Sequence, residues 1–229
     1  MIESVTVIGA RGRVGSAVTA RLRERGVARR ERDADLVLFC VPDRAVAEVA
    51  SETPVGPWVA HMSGGTPLTA LDPHVRRFSV HPLQTFTHDR GAEQLDGAWG
   101  AVCGESPDAR EAATWLAVTL GLQPFLLDDD RRALYHAGAA IASNYLVTLR
   151  RIAGELLMAA GVPAEALDPL MRRVIENGFQ LTGPIERGDW ETVERHRAAI
   201  ALEAPELLDA YDELARLTAR DIVSQGGRA

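Results

Sequence analysis

Short apolar runs alternate with stretches of helical periodicity through the first half of the chain. SVTVIG, DLVLFCVP, WVAHMSG and RFSVHPL are separated or followed by RVGSAVTARLRER, RAVAEVAS and turn-forming residues. Continuous apolar runs of this kind predict strands covered on both faces, and the periodic stretches between them predict crossover helices. WGAVCGE, PDAREAATWLAVTLGL and QPFLLD carry the pattern to about residue 128. The alternation predicts an α/β fold, a doubly wound and mostly parallel sheet. After DDDRR the character changes. RRALYHAGAAIASNYLVTLRRIAGELLMAAG reads as one helix ending at Gly161, with Pro163 just beyond as a stop signal, and ~30 residues of helix span roughly 45 Å. Its apolar positions cover more than one face, which predicts burial on several sides or a subunit interface. Three more helical segments follow, PAEALDPLMRRVIENGFQL, WETVERHRAAIALE and PELLDAYDELARLTARDIV, with TGPIERGD between the first two and Asp189 placed to cap the second. The predicted organisation is a sheet domain over residues 1–128 and an all-helical domain over 129–229.

The stretch VTVIGARGRVGSAVTARL, residues 5 to 22, sets Gly9, Gly12 and Gly15 between a strand and a helix. The dinucleotide fingerprint at such a junction is G-x-G-x-x-G. Here the first interval is one residue longer, whereas Gly12, Arg13, Val14 and Gly15 keep the spacing of the last half. A strand end followed by glycines and a helix start presents backbone N–H groups and the positive end of the helix dipole to an anion. The alternative is a glycine turn that merely lets strand and helix pack closely. A dinucleotide fold continues into a second strand, a second helix and a ribose-binding carboxylate. Only VARRERDAD lies between the end of the first helix near Gly26 and the next buried run. That length predicts a shortened second strand–helix unit, an impaired adenosine wall and weak binding of NAD(H) or NADP(H). Glu31 or Asp33 can still reach a ribose and Arg29, Arg30 or Arg32 a 2′-phosphate, or the segment is a solvated charged loop.

Composition narrows the partners. With 229 residues, 46% of them apolar, the chain builds one large or two small cores. No apolar run approaches the ~20 residues of a membrane span, and no signal-peptide pattern precedes the first strand. Cys40 and Cys103 sit in apolar, strand-like contexts and read as reduced thiols of a cytoplasmic protein. A net charge of -7 without a concentrated basic face argues against nucleic acid and leaves a small-molecule substrate. All 25 basic residues are arginines, so no mechanism here uses a lysine.

Five segments, VPDRAVAEVA, HMSGG, SVHPLQTFT, YHAGAAIASNYLVTL and LTGPIERGDWETVERH, occur in this order. In them the chain resembles a family of two-domain bacterial proteins that join a Rossmann-like N-terminal domain to a helical C-terminal domain of unknown function. That family is similar to the 6-phosphogluconate dehydrogenase-like reductases, among them pyrroline-5-carboxylate reductase, ketopantoate reductase and prephenate dehydrogenase. The resemblance implies an NAD(P)-dependent oxidoreductase, usually a homodimer, with its active site between the sheet's C-terminal edge and the long helix. It implies cofactor contacts from Gly9, Gly12, Arg13, Val14 and Gly15, from Val41, Pro42 and Asp43 at the nicotinamide ribose, and from Ser63. For Val41–Asp43 a plain turn opening the next helix fits the residues equally well.

Two strand ends carry histidines, His61 with Ser63 and Gly64, and His81 with Gln84 and Thr85. Histidines converging on one rim suit proton transfer near neutral pH. Histidines satisfied by nearby backbone are the alternative, and without a third ligand no metal site is expected. On the long helix stand Tyr135, His136, Gly138, Ser143 and Asn144. In the hydroxyacid dehydrogenase relatives a lysine precedes an asparagine by one helical turn and serves as general acid or base. Asn144 matches that asparagine, and Ala140 stands where the lysine would be. His136, ~12 Å along the helix from Asn144, is the nearest replacement proton donor, unless it is a core histidine. Thr182 and Arg187 can address a substrate carboxylate. The leading expectation is a reductase of a small carboxylate-bearing ketone or imine, with His136, Asn144 and His81 as its catalytic candidates. The competing expectation is a non-catalytic ligand-binding or regulatory protein with a degenerate dinucleotide site.

Overall fold

A computed structural model describes residues 2–226. The chain forms two compact units, Met1–Ser143 and Asn144–Ala229. The first is built on a seven-stranded sheet of order β2-β1-β3-β4-β5-β6-β7, with β1 (Ser4–Ile8), β2 (Ala28–Arg29), β3 (Leu36–Phe39), β4 (Trp58–His61), β5 (Arg77–Pro82), β6 (Trp99–Cys103) and β7 (Gln123–Leu126). Strands β1 to β5 are parallel. β6 runs antiparallel to β5, with Ser79 opposite Cys103, and β7 runs parallel to β6.

Helices cover both faces, which is why the strands read as continuous apolar runs. Under α1 (Arg13–Glu24) and α3 (Pro107–Thr119), Val5, Val7, Leu36, Leu38, Phe78 and Val80 form one core with Val18, Leu116 and Leu120. On the other face Phe39 and Val59 pack with Val46 and Ala50 of α2 (Val46–Glu52) and with Leu68 and Leu71. Along β3, Leu36 and Leu38 thus serve one core and Phe39 the other, as the two-residue period of a strand requires. α3 begins on Ser106, whose hydroxyl accepts from the Ala109 N–H at 3.1 Å, with Pro107 in the first turn.

The crossover after α1 is cut down as the sequence length requires. β2 is a two-residue stub pairing Ala28 with Ser4 and Arg29 with Val5, and no helix lies between it and β3. Side chains fasten the short return instead. Asp35 accepts from the Glu3 and Ser4 N–H groups at 3.0 and 2.9 Å and from the Ser4 hydroxyl at 2.8 Å. Those bonds hold its carboxyl below the usual carboxylate range. The Thr6 hydroxyl donates to the Arg30 carbonyl at 2.7 Å.

The long helix is interrupted. α4 (Arg132–Ala140) passes through a π-helical turn, Ile141–Tyr145, into α5 (Leu146–Ala159). Residues 129–143 group with the sheet, past the change in sequence character at DDDRR, because Asp129 and Arg132 bond to strand-end residues. Of the apolar residues along this helix, Leu134, Ile141 and Val147 are 73%, 59% and 71% exposed.

The second unit contains α6 (Leu167–Glu176), α7 (Trp190–Glu203) and α8 (Leu208–Gly226). Its core sets Ile200, Ala204 and Leu207 against Ile152, Leu156, Leu208 and Tyr211. Asp189 caps α7, accepting from the Thr192 N–H at 3.1 Å. No helix among the described residues is long and apolar enough to cross a membrane.

Phe78 is fully buried at the centre of the first core and Val75 is 87% exposed. Phe78→Ala is therefore expected to lower the unfolding free energy by about 3–5 kcal/mol, and Val75→Ala by less than about 0.5 kcal/mol, both read from denaturant titrations.

Candidate functional site

The chain passes from β1 to β2 on one side of the sheet and to β3 on the other, so β1 and β3 flank the point where the winding reverses. In open α/β sheets ligands bind at this place, outside the C-terminal strand ends. The glycine loop lies there. Gly9, at φ 84°, sits against Cys40: a Cβ on it would run into the Cys40 carbonyl and come within 3.2 Å of Val41 Cγ1. A Cβ on Gly15 would run into the Gly9 carbonyl. Gly12 caps α1 in extended conformation, with its N–H on the Gly9 carbonyl at 2.9 Å and no side chain capping the helix. The N–H groups of Arg13, Val14 and Gly15 have no carbonyl one turn back to bond to. The extra residue between Gly9 and Gly12 is absorbed in the turn, and the close strand–helix approach is kept.

Next along the same edge, at the ends of β4 and β5, two histidines meet the start of α4. Gly64 and Gly65 follow β4 through His61, Met62 and Ser63. A Cβ on Gly64 would stand 2.8 Å from the His136 ring and 2.8 Å from the His81 ring, and one on Gly65 would stand 3.1 Å from His136 Nδ1. The turn is thus seated in contact with both imidazoles, whose centroids lie 6.0 Å apart, edge to face. Tyr135 bonds His81 Nδ1 through its hydroxyl at 2.7 Å. Burial pushes the Tyr135 phenol up to about 12, so it stays protonated.

Burial pushes His81 down to about 4, with His136 and Arg132 adding to the effect and Asp43 opposing it. His61 is fully buried, its Nδ1 accepting from the Ser63 N–H at 3.2 Å, and burial together with Arg132 pushes it down to about 3. Both rings are neutral at physiological pH.

Behind the rim lies a residue that the sequence did not single out. Arg132 is 2% exposed. Its Nε donates to Asp129 at 3.0 Å, Nη1 to the Ser63 carbonyl at 3.1 Å and Nη2 to the Ser79 hydroxyl at 2.6 Å. Asp129 also accepts from the Leu68 N–H at 3.1 Å. The available signal was the run DDDRR, two residues before Tyr135 and His136.

The expected site residues fall into three groups. Gly9, Gly12, Arg13, Val14, Gly15 and Val41 form the loop at the switch point, and Pro42 and Asp43 begin the turn that leads into α2. Asp43 faces His81 closely enough to act on its charge. The Ser63 hydroxyl is engaged within its own turn, accepting from the Gly65 and Thr66 N–H groups and donating to the Thr66 hydroxyl. His81 and His136 are brought together. Asn144, Thr182 and Arg187 are exposed residues of the second unit. The loop Glu31–Ala34 borders a cleft of ≈ 730 Å³, lined also by Thr6, Ile8, Val37 and Val49, on the sheet face that a crossover helix would have covered. No group of three metal-ligating side chains occurs among the described residues.

A family described as a domain of unknown function (DUF2520) matches residues 99–218, just over half of the chain, and the chain belongs to it. No curated protein matches. Among solved structures, a protein from Thermotoga maritima superposes with a TM-score of 0.79 at 23% identity, covering 99% of this chain and 100% of its own. A candidate NADP oxidoreductase from Bacteroides fragilis gives 0.78 at 19% identity, covering 96% and 98%. A reductive aminase from Aspergillus terreus, solved with NADPH and ethyl levulinate, gives 0.60 at 19%, covering 96% and 95%. At these identities the likeness is one of fold, a Rossmann-like sheet followed by helices.

The two depressed histidines have a pH consequence. A histidine in the unfolded chain takes up a proton near pH ~6.5, whereas His81 does so at about 4 and His61 at about 3 in the folded chain. Between those values the unfolded state binds more protons, so the contribution is fully present above pH ~6.5 and is lost as pH falls. Denaturation midpoints are expected to drop from pH 7 to pH 4, less steeply in His81→Asn than in the unaltered protein.

Proposed function

We propose that this member of the family is an NAD(P)-dependent oxidoreductase that reduces a small carboxylate-bearing ketone or imine. One observation carries the reading: the glycine loop with its uncapped helix start and the His81–His136 rim lie along the same C-terminal edge of the parallel strands β1–β5. The cradle fits a dinucleotide. A Cβ at Gly9 would run into the Cys40 carbonyl after β3, and one at Gly15 into the Gly9 carbonyl after β1. The N–H groups of Arg13, Val14 and Gly15, with the α1 dipole, would hold the pyrophosphate, and Val41, Pro42 and Asp43 would flank the nicotinamide ribose. Arg29 at the end of β2 and Arg30 and Arg32 after it, all exposed, would meet a 2′-phosphate and favour NADPH over NADH.

Bound NAD(P)H would supply a hydride to the substrate carbon. The chain's own residues supply the proton that the carbonyl oxygen or imine nitrogen then requires. His136, exposed at the rim, delivers it, in place of the lysine for which Ala140 stands. His81, neutral and tied to Tyr135, orients the rim. The short crossover leaves the adenosine end with few walls, so affinity for the cofactor is modest.

Fluorescence titration with NADPH is the direct test. Binding at micromolar or weaker affinity, lost in Gly12→Val, supports the reading. No binding of NADPH or NADH favours the alternative, a non-catalytic ligand-binding protein, for which the missing helix between β2 and β3 is the supporting observation. With a substrate found by screening ketones and imines, His136→Ala is expected to lower turnover by ~10² or more, the range for losing a general acid.

We also propose a homodimer, supported by the apolar residues that α4 and α5 leave exposed, Leu134, Ile141 and Val147 among them. Sedimentation at micromolar concentration should give twice the chain mass, and Val147→Glu should shift it toward the monomer.

A further inference from the structure

We infer that Arg132, clamped by Asp129, is the positioning residue of the histidine rim, fixing the Ser63–Gly65 turn and the start of α4 relative to one another. The oxidoreductase reading gives this device its purpose, but the geometry stands without it.

A buried guanidinium is costly unless it is paired and hydrogen-bonded. Arg132 meets that condition by reaching into three parts of the structure, the β4 exit through the Ser63 carbonyl, β5 through the Ser79 hydroxyl and the segment before α4 through Asp129. Asp129 extends the clamp to Leu68 and lies 3.8 Å from the Cys103 sulfur at the end of β6. On α4, Tyr135 and His136 stand three and four residues beyond Arg132, hence on the same face of the helix. The Arg132 bonds therefore set where both rings stand. The partner they meet, the turn at Gly64 and Gly65, is held by the same guanidinium at Ser63. Because a single added carbon at Gly64 would press on both imidazoles, the fit tolerates little displacement. An apolar side chain of similar volume could fill the site without joining the turn to the helix.

The fixed charge has a second effect. The groups facing His81 are Arg132, Tyr135 and His136 from α4, Asp43 from the turn after β3 and His61 from β4. Of these, Arg132 is a permanent cation with an almost fully buried side chain, and it opposes a proton on His81. Placement and charge can be separated, because Lys keeps the charge and loses the fork, whereas Gln keeps polar contacts and loses the charge.

The test is NMR of the intact chain without nucleotide, comparing Arg132→Lys, Arg132→Gln and Asp129→Asn with the unaltered protein, each checked for folding by circular dichroism. In Arg132→Lys and Asp129→Asn the Gly64 and Gly65 amides and the His136 ring signals are expected to move, while the His81 titration midpoint stays near its unaltered value. In Arg132→Gln that midpoint is expected to rise above its unaltered value. Unchanged Gly64, Gly65 and His136 signals in any folded Arg132→Lys or Asp129→Asn protein overturn the positioning role, and an unchanged His81 midpoint in folded Arg132→Gln overturns the charge effect. Asp129→Asn leaves the guanidinium in place, and so supplies the test if the Arg132 variants do not fold. Failure of both NADPH and NADH to bind would refute the oxidoreductase reading and leave these outcomes untouched.

Discussion

The approach of three backbone segments at the point where the winding reverses governs the first unit. Gly9 lies against the Cys40 carbonyl and Gly15 against Gly9, so the end of β1, the end of β3 and the first turn of α1 are held at distances that exclude any side chain. Packing of α1 onto the sheet follows, with Val18 and Leu22 meeting Val5, Val7, Leu36 and Leu38. The first N–H groups of α1, unpaired within the helix as at any helix start, lie at the switch point. The close packing of β1, β3 and α1 is thus the result of one steric constraint.

The sheet is then economical on one side and elaborate on the other. Toward β2, the crossover is reduced to a stub and a charged return, and side-chain bonds from Asp35 and Thr6 replace the missing helix. Toward β7, the chain reverses once at β6 and resumes parallel pairing. The reversal places Cys103, at the end of β6, beside Asp129. Both cysteines are free thiols: burial raises that of Cys103, and it pushes that of Cys40, half-buried after β3, up to about 12.

At the rim, polar groups are organised around two different solutions to burial. His61 and His81 give up their charge, since an imidazole can lose its proton when desolvated. Arg132 cannot, and is satisfied by bonds instead. A neutral pair of rings beside a fixed cation makes the rim asymmetric, with His81 bound to Tyr135 and His136 facing solvent.

What the sequence determined was what local pattern can encode. Apolar runs and helical periodicity set the strands and helices, the glycine spacing marked the strand–helix junction, the nine residues between Gly26 and β3 left too little chain for a full strand–helix unit, and Asp189 announced its cap. These are properties of neighbours in the chain. The antiparallel turn of β6 was not legible, because a strand's period is the same in either direction. Nor was the π turn in the long helix, which keeps helical periodicity on both sides of it. The burial of Arg132 and its pairing with Ser63 and Ser79 join residues 69 and 53 positions apart, and in sequence an arginine after DDD reads as surface. Only the tertiary structure brought Gly64, His81 and His136 into contact, because that depends on the order of strands in the sheet and not on any spacing along the chain.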